Sequence, residues 1–191
     1  MFFIILFLAH LQSVILPIFL ALKSFQNFKH LPNFIFIPLG FLSIAFASIF
    51  EIIDHTNTNW IYINHSSDWN WLFYSFLSLG LILFSMAITK KRSVIYVNII
   101  LCFCTIFSYW IYGKSMALTF QALISFYLII NWRKRFKDWL IFAYPIFGIL
   151  LTTLFGRNLI LTSNQIWHLF IGPSGSLSVL TFYLVLKRAK D

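Results

Sequence analysis

Three of the five acidic residues in this 191-residue chain, Glu51, Asp54 and Asp68, fall within eighteen positions that also hold two of its five histidines, His55 and His65. Glu51, Asp54 and His55 are three and four apart, so on a helix all three share one direction. Asn164 and His168 repeat the four-residue spacing far along the chain. Metal binding is the chemistry that suits such a set. Two imidazoles and a carboxylate are a ligand set of catalytic zinc, which keeps a fourth position for water. That water ionises near neutral pH and can attack a carbonyl, while a free carboxylate such as Asp68 orients it or carries its proton. The pattern is less specific than a histidine pair at i, i+4, because each candidate helix supplies one histidine.

The elements that must position these residues are membrane helices. The chain is 60% hydrophobic and 10% charged, with a mean hydropathy of +0.86, 24 Phe and 7 Trp. A water-soluble domain of this size must cover its surface with charge, so an integral, multi-pass membrane protein is predicted. Seven apolar stretches, near 2–22, 33–53, 69–89, 93–112, 115–132, 139–156 and 165–186, each approach the ~20 residues that cross a ~30 Å hydrocarbon core. The fold class expected is therefore all-α, a seven-helix transmembrane bundle, with residues 1–191 as one domain. The first stretch lacks the basic start of a signal peptide and is longer than its apolar region, so it counts as a span. Gly172, Pro173 and Gly175 interrupt the seventh stretch, where proline should kink the helix or free a carbonyl.

Basic residues orient the bundle. With seven spans, one side holds twelve of the fourteen Lys and Arg, among them Lys90, Lys91, Arg92 and the run from Arg133 to Lys137, while the other holds Lys114 and Arg157. The N-terminus is thus expected outside and the C-terminus inside. This asymmetry accounts for most of the net charge of +9 without a nucleic-acid partner; the basic loops face anionic lipid headgroups. Cys102 and Cys104 lie two apart inside the fourth span, on different faces, and read as small apolar fillers.

In that topology the outer ends of spans two, three and seven can bring Glu51, His55, Asp68, Asn164 and His168 together in the outer half of the membrane. The plainer alternative is a solvated outer loop, which is how Asp54 and His65 are read. His168 lies within an apolar helix, where ionisable groups are functional candidates by default. His10 in the first span reads as a packing residue with room for a supporting role. His30 falls in an inner loop.

The stretches SIFEIIDH and NQIWHLFIG, with Asp68, resemble the CREST group of seven-span membrane hydrolases and receptors, which includes the alkaline ceramidases. The family pattern is Ser-x3-His on the second helix, Asp at the start of the third and His-x3-His on the seventh. Here it reads Glu51-x3-His55, Asp68 and Asn164-x3-His168, with Trp167 and Gly172 also similar. Glu51 replaces the serine and Asn164 replaces one of three zinc-ligating histidines. The resemblance implies a zinc-dependent hydrolase of lipid amides or esters, drawing a lipid substrate laterally from the membrane. His55 and His168 would hold zinc with Glu51 or Asn164, Asp68 would position water, and Ser48, one turn before Glu51, would support the network.

Other classes are weighed against it. A retinal protein needs a lysine within its last helix, and 165–186 contains none. A non-catalytic seven-span protein that binds a lipid or pigment, transports a solute or braces a complex is the main alternative. A transporter should show two segments broken at corresponding places, and one is visible. Trp60, Trp69, Trp71, Trp110, Trp132 and Trp139 need no ligand, since tryptophan anchors span ends at the interface.

Overall fold

The computed structural model describes residues 2–31, 33–58, 67–89, 91–147 and 164–189, with the side chains of Ser115 and of 164–168 left aside. The regular elements among the described residues are helical: α1 (Phe2–Asn27), α2 (Phe36–Asn57), α3 (Asp68–Ile88), α4 (Arg92–Tyr112), α5 (Lys114–Phe136), a 3-10 turn at Trp139–Phe142, the short α6 (Ala143–Pro145) and α7 (Asn164–Arg188). Among the described residues five segments, 2–27, 36–57, 68–88, 92–112 and 169–188, are long and apolar enough to cross a membrane. A backbone in hydrocarbon must satisfy its own hydrogen bonds, and a helix does so within one segment.

The helices close a ring. α1 packs on α2, α2 on α3, α3 on α5, α5 on the 3-10 turn, and that turn and α6 on α7, which returns to α1. α4 lies outside this ring against α3 and α5. Close approach between α2 and α3 depends on two glycines facing each other. A Cβ on Gly40 would lie 2.8 Å from the Phe84 ring, and one on Gly80 would lie 2.9 Å from the Gly40 carbonyl. Lipid tails are as apolar as leucine, so helices associate in a membrane through such small-residue contacts and through polar bonds. Asn98 of α4 supplies one of these, donating to Ser85 Oγ of α3 at 2.8 Å.

The two halves of the bundle differ in chemistry. Towards the basic, inner side the ring is filled by one apolar cluster that includes Phe28, Phe41, Phe84, Leu128, Trp132, Ile141 and Phe182. Its aromatic rings interlock, with centroids 4.8 Å apart for Phe41–Phe84, 4.6 Å for Phe84–Phe182 and 5.0 Å for Trp132–Phe182. Two inner loops are tied down: Asn33 Nδ2 donates to the carbonyls of Met86 and Thr89, and Asp138 caps the 3-10 turn through the Leu140 amide while lying 3.6 Å from Arg188.

Four sequence expectations are revised. α2 runs four residues beyond 53, so Asp54 and His55 are helical. The seventh stretch stays helical through Gly172, Pro173 and Gly175, with Pro173 inside a 25-residue α7. The sixth stretch begins as a 3-10 turn, not an α-helix, and its second half, 148–156, falls outside the described residues. Trp132 is fully buried and its indole N–H donates to the Phe84 carbonyl at 3.1 Å, so it is a packing residue and not an interface anchor. Trp69, Trp110 and Trp139 are exposed as anchors should be. Cys102 and Cys104 are free thiols, half-buried in α4.

Candidate functional site

α1 and α2 form an antiparallel hairpin, and its geometry brings together residues equally far from the turn. Position 10 is seventeen before the end of α1 at Asn27, and position 53 is seventeen after the start of α2 at Phe36. His10 therefore sits level with the Glu51 to His55 turn. The imidazoles of His10 and His55 meet edge to face, with centroids 5.2 Å apart and planes at 86°. One ligand atom each from His10, Glu51 and His55 lie within 4.8 Å of one another.

The three side chains are differently placed. His10 is fully buried, while Glu51 and His55 are half-buried. His10 Nδ1 lies 3.1 Å from the Leu6 carbonyl, and a carbonyl can only accept. Nδ1 therefore carries the proton and Nε2 carries the lone pair. Backbone contact fixes the height of His10: a Cβ on Gly172 of α7 would run into the Ala9 carbonyl and lie 2.9 Å from the His10 Cα. Only a glycine lets α7 approach α1 at that level. Among the described residues Glu51 makes no hydrogen bond or close ion pair, although Lys114 and Asp54 both act on it electrostatically.

Next to this group runs a hydrogen-bonded chain across α2, α3 and α4. Ser67, the N-cap of α3, donates from Oγ to Asp54 Oδ1 at 2.5 Å and accepts from the Asn70 amide at 3.0 Å. Tyr109 of α4 accepts from the Ser67 amide at 3.1 Å and lies 3.1 Å from Asn70 Oδ1. Tyr74, Tyr109 and Ala117 form a small apolar cluster below, and the Lys114 ammonium stands 5.9 Å over the Tyr74 ring.

The sequence-derived candidates are distributed unevenly. Glu51 and His55 belong to the group. Ser48 is buried one turn before Glu51. Asp68 is exposed in the first turn of α3, with the N-cap bond made by its neighbour Ser67. Asn164 and His168 open α7, but their side chains lie outside the described residues, as does His65 altogether. Asp54, expected in a solvated loop, is buried because α2 continues past it. His10, expected to pack with room for a supporting role, joins the group, whereas Ser67, Asn70 and Tyr109 are not among the sequence-derived candidates. Counting along the α1–α2 hairpin is the signal that could have found His10. The others depend on where α3 starts, which hydropathy does not fix.

The sequence profile of the 7TM_cyano family, described as "Seven transmembrane receptor", matches residues 2–191. No curated protein and no solved structure matches the chain. The profile match overturns the resemblance to the CREST hydrolases. That resemblance rested on polar residues four apart at the outer ends of spans, a spacing that any helix turning one face inward produces.

Proposed function

This chain belongs to a family of seven-transmembrane receptors, and on that premise we propose that it is a non-catalytic membrane receptor whose ligand enters the outer half of the bundle. One observation carries the reading: the outer half gathers His10, Glu51 and His55 beside the Asp54–Ser67–Tyr109 chain, whereas the inner half is filled by interlocked aromatic rings. A polar group at one end of the helices, with interlocked apolar rings filling the other end among the described residues, suits binding and signalling better than passage. α7 is the connecting element. Its outer part meets His10 through Gly172, and its inner part donates from the Ser178 hydroxyl to the Tyr144 carbonyl of α6 and makes the Arg188–Asp138 contact. A rigid helix that touches both ends is a physical route for coupling, which needs demonstration by an effect at the far end. Hydrolysis of a lipid amide or ester, the other reading, gains no supporting observation, since Asp68 stands exposed and apart from the histidine group.

Hydrogen exchange in lipid nanodiscs tests the coupling. The Glu51→Gln/His55→Ala double variant is expected to change amide exchange several-fold in the inner segment 136–142, with its thermal midpoint within a few degrees of the parent. Exchange altered around 51–55 alone, with 136–142 unmoved, removes the support for a receptor.

A further inference from the structure

We propose that His10, Glu51 and His55 bind a divalent transition metal of borderline softness, of which zinc is the type. This names the ligand of the outer site and so rests on reading that site as a binding site.

The donor set selects the metal class. Two neutral imidazoles and one carboxylate suit zinc and its first-row neighbours. Calcium and magnesium are hard ions that prefer oxygen ligands, whereas two of the three donors here are imidazole nitrogens. Tetrahedral zinc with bonds of 2.0–2.1 Å places its ligand atoms about 3.3 Å apart. The ligand atoms here lie within 4.8 Å of one another, so side-chain adjustments of at most about 1.5 Å bring the three to bonding distance of one ion. His10 is already arranged as a metal-bound histidine is: its Nδ1–H is held by a backbone carbonyl, that of Leu6 at 3.1 Å, which fixes ring and tautomer and points the Nε2 lone pair away.

Charge and access agree with this assignment. Glu51 is a carboxylate within a membrane-spanning helix, a costly placement unless another group compensates it, and among the described residues it makes no hydrogen bond or close ion pair. Asp54 adds a second negative charge acting on the same locus, against the single positive charge of Lys114. The two carboxylates exceed the one ammonium by a unit of negative charge, which favours a cation at this locus. His10 is buried while Glu51 and His55 are half-buried, and three protein ligands leave the fourth position of a tetrahedral ion to water or an exchangeable ligand.

The test uses the full chain, purified in detergent, stripped with chelator and titrated with zinc(II) and with cobalt(II). One metal per chain is expected, with a visible cobalt spectrum of tetrahedral type. His10→Ala, His55→Ala and Glu51→Gln should each weaken binding at least tenfold, while His30→Ala leaves it unchanged. Glu51→Asp, which keeps the charge and shortens the arm, guards against a variant that merely misfolds: it should retain measurable metal at reduced affinity. Less than about a tenth of an equivalent in the parent protein, or equal binding in all variants, overturns the metal site. Metal bound at these residues without any change in exchange at 136–142 upholds this site and removes the receptor reading; coupling without metal does the reverse.

Discussion

Replacing Gly172 by alanine is expected to destabilise the bundle by about 2 kcal/mol, the order found for overpacked cores, although alanine is intrinsically the better helix former. The added methyl would meet the Ala9 carbonyl and the His10 Cα, which are backbone atoms and cannot turn aside. α7 must then withdraw from α1, and His10 loses the surface that sets its height. Gly175, in the same helix, provides the control. A Cβ there meets nothing within 4 Å, so Gly175→Ala should be neutral or stabilising by up to ~1 kcal/mol. Thermal unfolding in one detergent, with both variants side by side, checks the pair. Equal effects at the two positions would contradict the α1–α7 contact.

Trp132→Ala should cost about 3 kcal/mol and is the largest single-residue loss expected in the inner half. The indole is fully buried, with ring centroids of Phe84, Phe136 and Phe182 at 6.0, 5.2 and 5.0 Å. In lipid the transfer contribution is small, because the unfolded alternative is also apolar, so the loss comes from dispersion contacts around a cavity. Trp132→Phe separates the ring from its N–H bond to Phe84 and should cost about 1 kcal/mol. Trp139→Ala is the contrast. That ring is 71% exposed and lies 4.1 Å from the Arg133 guanidinium carbon, an arrangement worth about 0.5–1 kcal/mol at an exposed site. Unfolding in graded denaturing detergent ranks the three.

Most of the helices were legible in the sequence because span length is a property of local composition. A run such as residues 2–22 has one structural outcome in lipid, and α1 covers it. What hydropathy does not contain is where polar ends stop being helix. α2 continues through Asp54 and His55 to Asn57, since its last turn still has carbonyl partners in Thr56 and Thr58. That extension turns Asp54 from an apparent loop residue into a buried one.

The site was half legible for a related reason. Glu51 and His55 announce themselves by spacing, which is a local property of one helix. His10 is forty-one residues before Glu51 and has no polar neighbour of its own kind in α1; only the pairing of α1 with α2 and the glycine contact from α7 give it a role. Tyr109 is similar. It looks like one more aromatic in α4, and its hydroxyl acquires meaning from the cap residue Ser67 across the bundle. Trp132 failed in the opposite direction: tryptophan near a span end usually anchors the interface, and here the ring turns inward to fill space between α3 and α7.

The meeting of α1 and α2 at His10 and His55 underlies both the receptor reading and the metal site, and cross-linking in membranes measures it most directly. In a background lacking Cys102 and Cys104, the pair His10→Cys and His55→Cys is joined by a short bifunctional thiol reagent before solubilisation. Rapid intramolecular cross-linking is expected for this pair and none for His30→Cys with His55→Cys. Failure of the first pair to react, with both thiols shown to be accessible to a monofunctional reagent, would contradict the arrangement.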